Sequence, residues 1–229
     1  MLLTNRAINR DICFDLSGVA LVRLSEVRDL GVLFNSKLNF VNHIDVLIGK
    51  AKQRLFLLRK SFSHCNGQAL VLAFKTYIVP LLEYCSPVWS PSSICDIVRI
   101  ESVQRSFTKS LNFCYLLPYN ERLHRCNLLS LERRRLIADL VLLFKMVNKL
   151  IEIDLDCSIT PIVDYVTRGH SRRLRVPLAR LNTRLNFFTV KTVKVWNCLS
   201  EQTVIASSAP AFKNHLNFEN LSKYLMLGF

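Results

Sequence analysis

The side chains best placed to do chemistry in this sequence are basic, and they fall in two stretches that contain no acidic residue. The first runs from Lys50 to Lys60 and the second from residue 165 to residue 200. Lysine and arginine neutralise phosphate oxygens, and the planar guanidinium group can bind two of them at once. Both stretches are therefore candidate phosphate-binding surfaces. For any single charge, the alternative is an ordinary solvated helix face.

The charge of the whole chain points the same way. Its 229 residues carry a net charge of +14, and half of them are apolar. This apolar content is enough for one or two packed domains and excludes a disordered basic tail. The excess of positive charge predicts a polyanionic partner, for which nucleic acid is favoured over an anionic membrane surface or an acidic protein.

Residues for metal-dependent or nucleophilic catalysis are not grouped in the sequence. Polymerases and many nucleases hold two metal ions with clustered carboxylates. The only Asp-x-Asp pair here, Asp154 and Asp156, is interpreted as part of a polar linker. The sequence contains no GxxxxGK phosphate loop, no GxSxG elbow and no HExxH pair. We therefore expect no catalytic residues and no metal ligands in this chain.

The eight cysteines are scattered, without a CxxC pair and without a second Cys/His pair near His124 and Cys126. This pattern predicts small buried apolar residues in a reducing compartment. The first residues lack the apolar core of a signal peptide, and the longest uncharged run, Ser61–Phe74, is too short and polar to span a bilayer. We expect an intracellular protein without a membrane partner.

Periodicity predicts the elements that must position the basic residues. Short apolar runs at 18–22 and 29–34 predict two strands that form a hairpin. Apolar residues then repeat every three or four positions from Val41 to Phe62, which predicts a long helix. A second helix is predicted at 68–84, with a kink or an end at Pro80.

Five more helices follow in this prediction, at 92–111, 119–126, 130–150, 187–199 and 210–225. Pro91 is expected to open the first of them and Ser130 to cap the third. Residues 154–161 are predicted as a linker, 167–171 as a loop and 174–176 as a short strand. The predicted fold class is mainly α, with a short N-terminal β-hairpin and a small irregular β element near the C-terminal third.

Two groups of side chains in these elements have more than one interpretation. Arg133, Arg134 and Arg135 point in three directions around their helix, so they cannot all contact one ligand, and at least one should serve the core edge or an ion pair. The aromatic residues Phe187, Phe188 and Trp196 lie in the second acid-free stretch. They are candidates for stacking on bases, although packing in the core is the favoured alternative.

Five segments, in order, resemble the region downstream of the polymerase motifs in non-LTR (LINE-type) retrotransposon reverse transcriptases, most closely the Jockey-like elements. The first is Val27-Arg28-Asp29-Leu30-Gly31-Val32 with Leu38-Asn39-Phe40 and His43-Ile44. The second joins Tyr77 and Pro80 to Leu82-Glu83-Tyr84 and Pro87-Val88-Trp89-Ser90-Pro91. The third comprises Glu101, Val103-Gln104-Arg105 and Thr108-Lys109.

The fourth segment is Tyr119, Glu121-Arg122-Leu123, Leu128, Leu131-Glu132 and Arg134-Arg135. The fifth is Thr167-Arg168-Gly169-His170-Ser171, Phe187-Phe188, Val195-Trp196-Asn197, Leu199 and Phe212-Lys213. In that family the catalytic Asp residues, including an F-x-D-D motif, precede the first segment. Only 26 residues precede Val27 here, and none forms that motif. None of the family's catalytic residues is therefore assigned to a position in this chain.

The resemblance implies a truncated reverse transcriptase that keeps the part gripping the template–primer duplex. It implies the end of a palm at 1–40, a helical thumb-like bundle at 41–153 and a basic region at 154–229. The expected partners are RNA and DNA in a nuclear or cytoplasmic ribonucleoprotein, without a small-molecule substrate. The family uses Mg²⁺ for RNA-directed DNA synthesis, and we expect no cofactor and no activity in this chain alone. The predicted nucleic-acid-binding residues are Lys50, Lys52, Arg54, Arg59, Lys60, Arg105, Lys109, Arg168, Arg172, Arg173, Arg175, Arg180 and Arg184.

Three alternatives remain open at this stage. One is an active enzyme whose remainder was lost from the gene model, which an upstream frame encoding F-x-D-D would favour. Another is a helical module that binds an acidic protein. The last is a decayed element without function, which predicts no stable transcript or protein.

Overall fold

Helices dominate the chain, as the sequence predicts. The computed structural model describes residues 14–22, 24–62, 65–151, 159–162 and 169–229, and only the backbone at 182 and 183. The long helices are α1 (Val41–Ser61), α2 (Gly67–Tyr77), α5 (Ile94–Lys109) and α7 (Leu131–Val147). The shorter ones are α3 (Val79–Glu83), α4 (Ser86–Trp89), α6 (Tyr119–Arg125), α8 (Asn182–Leu185), α9 (Phe188–Trp196), α10 (Glu201–Val204) and α11 (Ala209–Leu216). A 3₁₀ turn follows at Ser222–Tyr224. The mainly α fold class is confirmed.

In the described residues, the N-terminal β structure consists of two small hairpins. In the first, β1 (Asp15–Leu16) pairs with β2 (Val19–Ala20), and in the second, β3 (Glu26–Asp29) pairs with β4 (Val32–Asn35). The predicted strand at 29–34 is therefore wrong. Leu30 and Gly31 form the tight turn between β3 and β4, with φ of 43° and 88°. Consecutive left-handed residues are the conformation of a type I′ hairpin turn.

Proline shapes the next part of the chain. The predicted break at Pro80 is confirmed, because α2 ends at Tyr77 and α3 begins at Val79 with proline in its first turn. The segment between the predicted helices at 68–84 and 92–111 contains α4, a single helical turn. Pro91 does not open the next helix. That helix is α5, and the residue preceding it is Ser93.

The buried apolar side chains form two clusters. The N-terminal cluster extends from Val32 to Leu131 and includes Phe74 and Phe107, whose rings stack with centroids 4.1 Å apart. The C-terminal cluster extends from Leu136 to Leu221 and is centred on Phe144, Trp196 and Phe212. The helix α7 belongs to both, because its first residue, Leu131, lies in the N-terminal cluster and the residues from Leu136 onward lie in the C-terminal cluster.

The C-terminal part is less regular than the sequence indicates. The final helix, predicted to reach residue 225, ends at Leu216. The predicted strand at 174–176 is reduced to one antiparallel bridge between Pro161 and Leu174, flanked by backbone hydrogen bonds. Of the predicted linker at 154–161 only 159–161 are described, and of the predicted loop at 167–171 only 169–171, which form neither helix nor strand. In the part of the chain that the structure describes, no helix is long and apolar enough to cross a membrane.

Ser130 caps the N-terminus of α7, as predicted, and it also holds Phe229 through a hydrogen bond. Its Oγ accepts a hydrogen bond from the Arg133 amide at 3.3 Å and donates one to the carbonyl oxygen of Phe229 at 2.7 Å. We expect Ser130→Ala to lower the free energy of unfolding by about 1 to 2 kcal/mol, since both the cap and the second bond are lost. Urea denaturation measures this change. Asn66→Ala removes only the cap of α2, so an equal or larger loss in that variant would contradict the double role of Ser130.

Candidate nucleic-acid interface

The outward face of α1 carries three of the predicted lysines. Lys50, Lys52 and Lys60 are exposed, and none forms an ion pair with a described acidic residue. At 3.6 residues per turn, Lys60 points away from the core, and Lys50 and Lys52 lie on opposite flanks, each about 80° around the axis from Lys60. Lys50 and Lys60 are about 15 Å apart along the axis. Lys50 and Lys52 are thus about 160° apart, and the three ammonium groups spread around the solvent-facing half of the helix.

Two large apolar side chains, one aromatic and one aliphatic, share this face. They were not predicted as site residues from the sequence. Phe56 is 65% exposed and Leu57 is 54% exposed. Both lie off the apolar stripe that packs into the core. Their position off this stripe is the sequence signal from which their exposure could have been predicted. An exposed phenylalanine between exposed lysines can stack on an unpaired base or lie against the sugars of a groove.

The two arginines of α1 have partners in the protein. Arg54 donates a hydrogen bond to the carbonyl oxygen of Tyr77 at 3.2 Å, at the end of α2. Arg59 donates to the carbonyl oxygen of Ser106 at 2.8 Å, in α5, and burial lowers the pKa of its guanidinium below the ordinary value. Their role in binding nucleic acid stays a prediction, but each already joins α1 to a neighbouring helix.

The two predicted basic residues of α5, Arg105 and Lys109, also differ in whether the protein itself binds them. Lys109 is exposed in the last turn of that helix. The guanidinium of Arg105 lies over two aromatic rings, 4.8 Å from the centroid of Tyr119 and 5.3 Å from that of Phe229. Such cation–π contacts stabilise the fold and restrict the arginine. Of these two residues, Lys109 is the more available to a ligand.

The arginines of the second acid-free stretch are spread over its surface. Arg172 donates hydrogen bonds to Asn148 Oδ1 at 2.8 Å and to the carbonyl oxygen of Val204 at 3.3 Å, and Arg173 is half-buried. Arg175 and Arg180 are exposed, whereas Arg168 lies outside the described residues. Arg172, Arg175 and Arg180 are therefore all exposed, but Arg172 is also hydrogen-bonded to the fold.

Among the aromatic residues of this stretch that the structure describes, only Phe187 has a well exposed side chain. It is 51% exposed, and Arg184 lies over its ring at 5.1 Å from the centroid. Trp196 is fully buried, and its indole N–H donates to the carbonyl oxygen of Arg172 at 2.8 Å. The core interpretation of Trp196 is confirmed, and Arg184 with Phe187 forms a small exposed platform on which an aromatic ring can stack.

The three consecutive arginines of α7 diverge, as predicted. Arg133 donates to the carbonyl oxygens of Asn217 and Glu219, and Arg134 forms an ion pair with Glu83. Arg135 is 2% exposed. It interacts electrostatically with a buried acid, Glu101, which accepts hydrogen bonds from the Tyr119 hydroxyl at 2.5 Å and the Leu131 amide at 3.0 Å. This buried charged network is the main polar feature that the sequence did not reveal.

The cysteines differ from the expectation of burial. Cys65, Cys85, Cys95 and Cys198 are exposed, and Cys114 and Cys126 are buried with their sulfur atoms 3.7 Å apart. Burial raises the pKa of the Cys126 thiol to about 12, with the Cys114 thiol adding to the effect. Among the described residues, no group of three or more His, Cys, Asp or Glu side chains is arranged to hold a metal ion.

A second buried acid in α7 predicts a pH dependence. Burial raises the pKa of the Asp139 carboxyl to about 6 from 3.8, although Lys191, 3.6 Å away, opposes the shift. A carboxyl with a raised pKa favours folding while it is protonated and loses that contribution as the pH rises through 6. We expect Asp139→Asn to match the wild type near pH 4 and to be more stable at pH 8, by at most about 3 kcal/mol. Urea denaturation at both values measures this, and a difference independent of pH would contradict it.

The comparisons with known proteins leave the family open. No protein-family model matches the chain, and no solved structure matches it. Over 116 residues it is 26% identical to a protein of Caenorhabditis elegans described as uncharacterized. The match covers 49% of this chain and 59% of that protein, so the chain spans less than two thirds of the curated relative's length.

Proposed function

We propose that this chain is the nucleic-acid-gripping part of a non-LTR reverse transcriptase and that it binds a template–primer duplex along its backbones. The observation that carries the proposal is the outward face of α1, where Lys50, Lys52 and Lys60 are exposed and form no ion pair with a described acid. The nearest acid in α1, Asp45, is bound by Arg99. Three such charges around the solvent-facing half of one helix favour a polyanion over solvent alone.

The geometry of this face suits phosphates better than bases. One strand of a B-form duplex presents a phosphate every 3.4 Å or so, so that about four phosphates lie along the 15 Å or so from Lys50 to Lys60. Lysine contacts with phosphates fix the position of a duplex without reading its sequence. Binding should therefore be weakly sequence-specific and steeply dependent on salt.

The proposal also includes the partners and the cellular location that the family resemblance implies. The partners are RNA and DNA within a nuclear or cytoplasmic ribonucleoprotein. Lys109, Arg175, Arg180 and the Arg184–Phe187 platform are the further exposed groups that can contact the strands. The chain alone is proposed to be inactive in synthesis, since Asp154 and Asp156 are its only Asp-x-Asp pair.

Binding to an RNA–DNA hybrid over a range of KCl concentrations tests this function. With about six phosphate contacts, affinity should fall about a thousandfold between 50 and 200 mM salt. A flat response, or no binding at low salt, would exclude the phosphate grip. Primer extension with Mg²⁺ is the companion assay, in which measurable synthesis would contradict the proposed inactivity.

A second candidate function rests on a groove along α7 and α11. This groove has a volume of about 460 Å³ and an apolar floor that includes Ile137, Val141 and Leu142. Lys145 and Lys213 lie at its edge. An acidic amphipathic helix of another protein would fit this combination. A chain that binds such a helix and causes no mobility shift with RNA or DNA would support this candidate instead.

A further inference from the structure

Two buried cysteines are in contact beside α6. Cys114 is 1% exposed and Cys126 is 5% exposed, and their sulfur atoms are 3.7 Å apart. At this distance one thiol can donate a weak hydrogen bond to the other. A disulfide bond joins two sulfur atoms at about 2.05 Å. The two sulfur atoms therefore need to approach each other by only about 1.7 Å to become bonded.

A bond between these cysteines would close a loop that contains the whole of α6. Cys114 lies in the turns that follow α5, and Cys126 is the residue at which α6 ends, 12 positions later. The fold already holds the backbone at both ends. The Cys114 amide donates to the carbonyl oxygen of Leu111 at 2.9 Å, and the Cys126 amide donates to that of Arg122 at 3.0 Å. The bond would therefore join two positions that the native fold has brought together.

The helix inside this loop is held by few groups. Only Arg122 and Leu123 of its seven residues are buried, and Pro118, the residue before it, cannot cap it with its side chain. Arg122 donates to the carbonyl oxygen of Arg105 at 3.1 Å, and Tyr119 donates to Glu101. Elements with few buried apolar contacts open locally without unfolding of the whole domain. Such an opening of α6 gives an oxidant access to thiols that the closed fold covers.

In the closed fold, these thiols react slowly. Burial raises the pKa of the Cys126 thiol to about 12 and the Cys114 thiol adds to this effect, although Lys75 and Arg122 oppose it. The thiolate is the nucleophilic form, so the closed pair resists oxidation. Four other described cysteines are exposed and should react earlier: Cys65, Cys85, Cys95 and Cys198. The buried pair should therefore remain reduced in a reducing environment and respond to sustained oxidation.

We propose that Cys114 and Cys126 form a reversible disulfide that fixes α6 against α5. The oxidant is a small-molecule disulfide, for which oxidised glutathione is the probe. When α6 opens, the Cys126 thiolate attacks one sulfur of the oxidant, breaks its S–S bond and releases one glutathione thiolate. The Cys114 thiolate then attacks the Cys126 sulfur and releases the second. Two cysteine thiols are oxidised, one molecule of oxidised glutathione is reduced, and the two thiol protons pass to the released thiolates.

The loop that this disulfide closes is separate from the proposed grip on a duplex, because none of the α1 lysines belongs to it. Its expected effect is on stability. A crosslink over a short loop lowers the conformational entropy of the unfolded chain, so the thermal midpoint of the oxidised chain should rise by about 5 to 10 °C. Excess dithiothreitol should reverse this rise.

Incubation of the full chain with oxidised glutathione tests the proposal. After increasing times, free thiols are alkylated and the digested chain is mapped by mass spectrometry. We expect glutathione adducts at the exposed cysteines first and a Cys114–Cys126 linkage later. Thermal unfolding of the same samples, followed by circular dichroism, gives the midpoint.

Two variants separate the linkage from adducts elsewhere. Cys126→Ala removes one partner and keeps a small apolar side chain, so this variant should show neither the linkage nor the rise in midpoint. Cys95→Ala is the matched control, because Cys95 is exposed on α5, and it should keep both. Absence of the linkage in the oxidised wild type would overturn the proposal, whether or not Cys126→Ala folds. A linkage that does not raise the midpoint, or crosslinks spread equally over the exposed cysteines, would overturn it as well.

Discussion

Replacement of Lys50, Lys52 and Lys60 by glutamine is expected to weaken binding to an RNA–DNA hybrid on the order of a hundredfold at low salt. Each lysine that neutralises a phosphate releases a condensed counterion, and this release is lost in the variant. The slope of log K against log salt should therefore become shallower by about 2.7, or 0.9 or so for each lysine. Fluorescence anisotropy with a labelled hybrid, repeated over a range of KCl concentrations, gives both quantities.

The matched control removes the same charge from elsewhere. Lys37, Lys149 and Lys213 are exposed outside α1, and their replacement by glutamine also lowers the net charge from +14 to +11. If binding depends on the α1 face, this control should keep most of the affinity and most of the salt slope. Equal losses in the two variants would mean that only the total charge matters. In that case the α1 face would be ordinary solvated surface.

Removal of the buried carboxylate Glu101 should have the largest effect on stability. Glu101→Leu is expected to cost about 3 to 5 kcal/mol, because it leaves the positive charge of Arg135 in the interior with less compensation. The Leu131 amide and the Tyr119 hydroxyl also lose their acceptor. A loss of this size is a large part of the 5 to 15 kcal/mol or so that stabilises a typical domain. Chemical denaturation followed by circular dichroism measures it.

Two milder variants locate the source of this loss. Tyr119→Phe removes one hydrogen bond to Glu101 and should cost about 1 kcal/mol, while the carboxylate and Arg135 remain. Glu101→Gln keeps the shape but removes the charge, so it should fall between the other two. If Glu101→Leu were no more destabilising than Tyr119→Phe, the interaction with Arg135 would contribute little to the fold.

The sequence predicted those features of the fold that depend on neighbouring residues. The apolar repeat from Val41 to Phe62 gave nearly the observed bounds of α1, the break at Pro80 follows from a missing amide, and Ser130 caps α7. The turn at Leu30–Gly31 was missed, because the apolar residues around it resemble one continuous strand. Its glycine was the signal that should have divided the run.

The individual site residues were harder to predict, because their roles depend on distant partners. Arg59 binds a residue 47 positions away and Arg54 one 23 positions away, and no local pattern distinguishes them from the exposed Lys60. The partners of Glu101 likewise come from distant segments, since Tyr119 lies 18 positions away and Leu131 lies 30 positions away. Sequence alone predicted which face of α1 points outward, but not which of its cations the protein itself uses.

The position of α7 in both apolar clusters has a consequence for modularity. A cut in the chain near residue 153 would leave α7 with the N-terminal part, exposing Leu140, Phe144 and the rest of its second face to water. The basic region would at the same time lose the surface on which Trp196 and Phe212 pack. The two halves are therefore not independent folding units, and any transfer of the basic region to another protein must include α7.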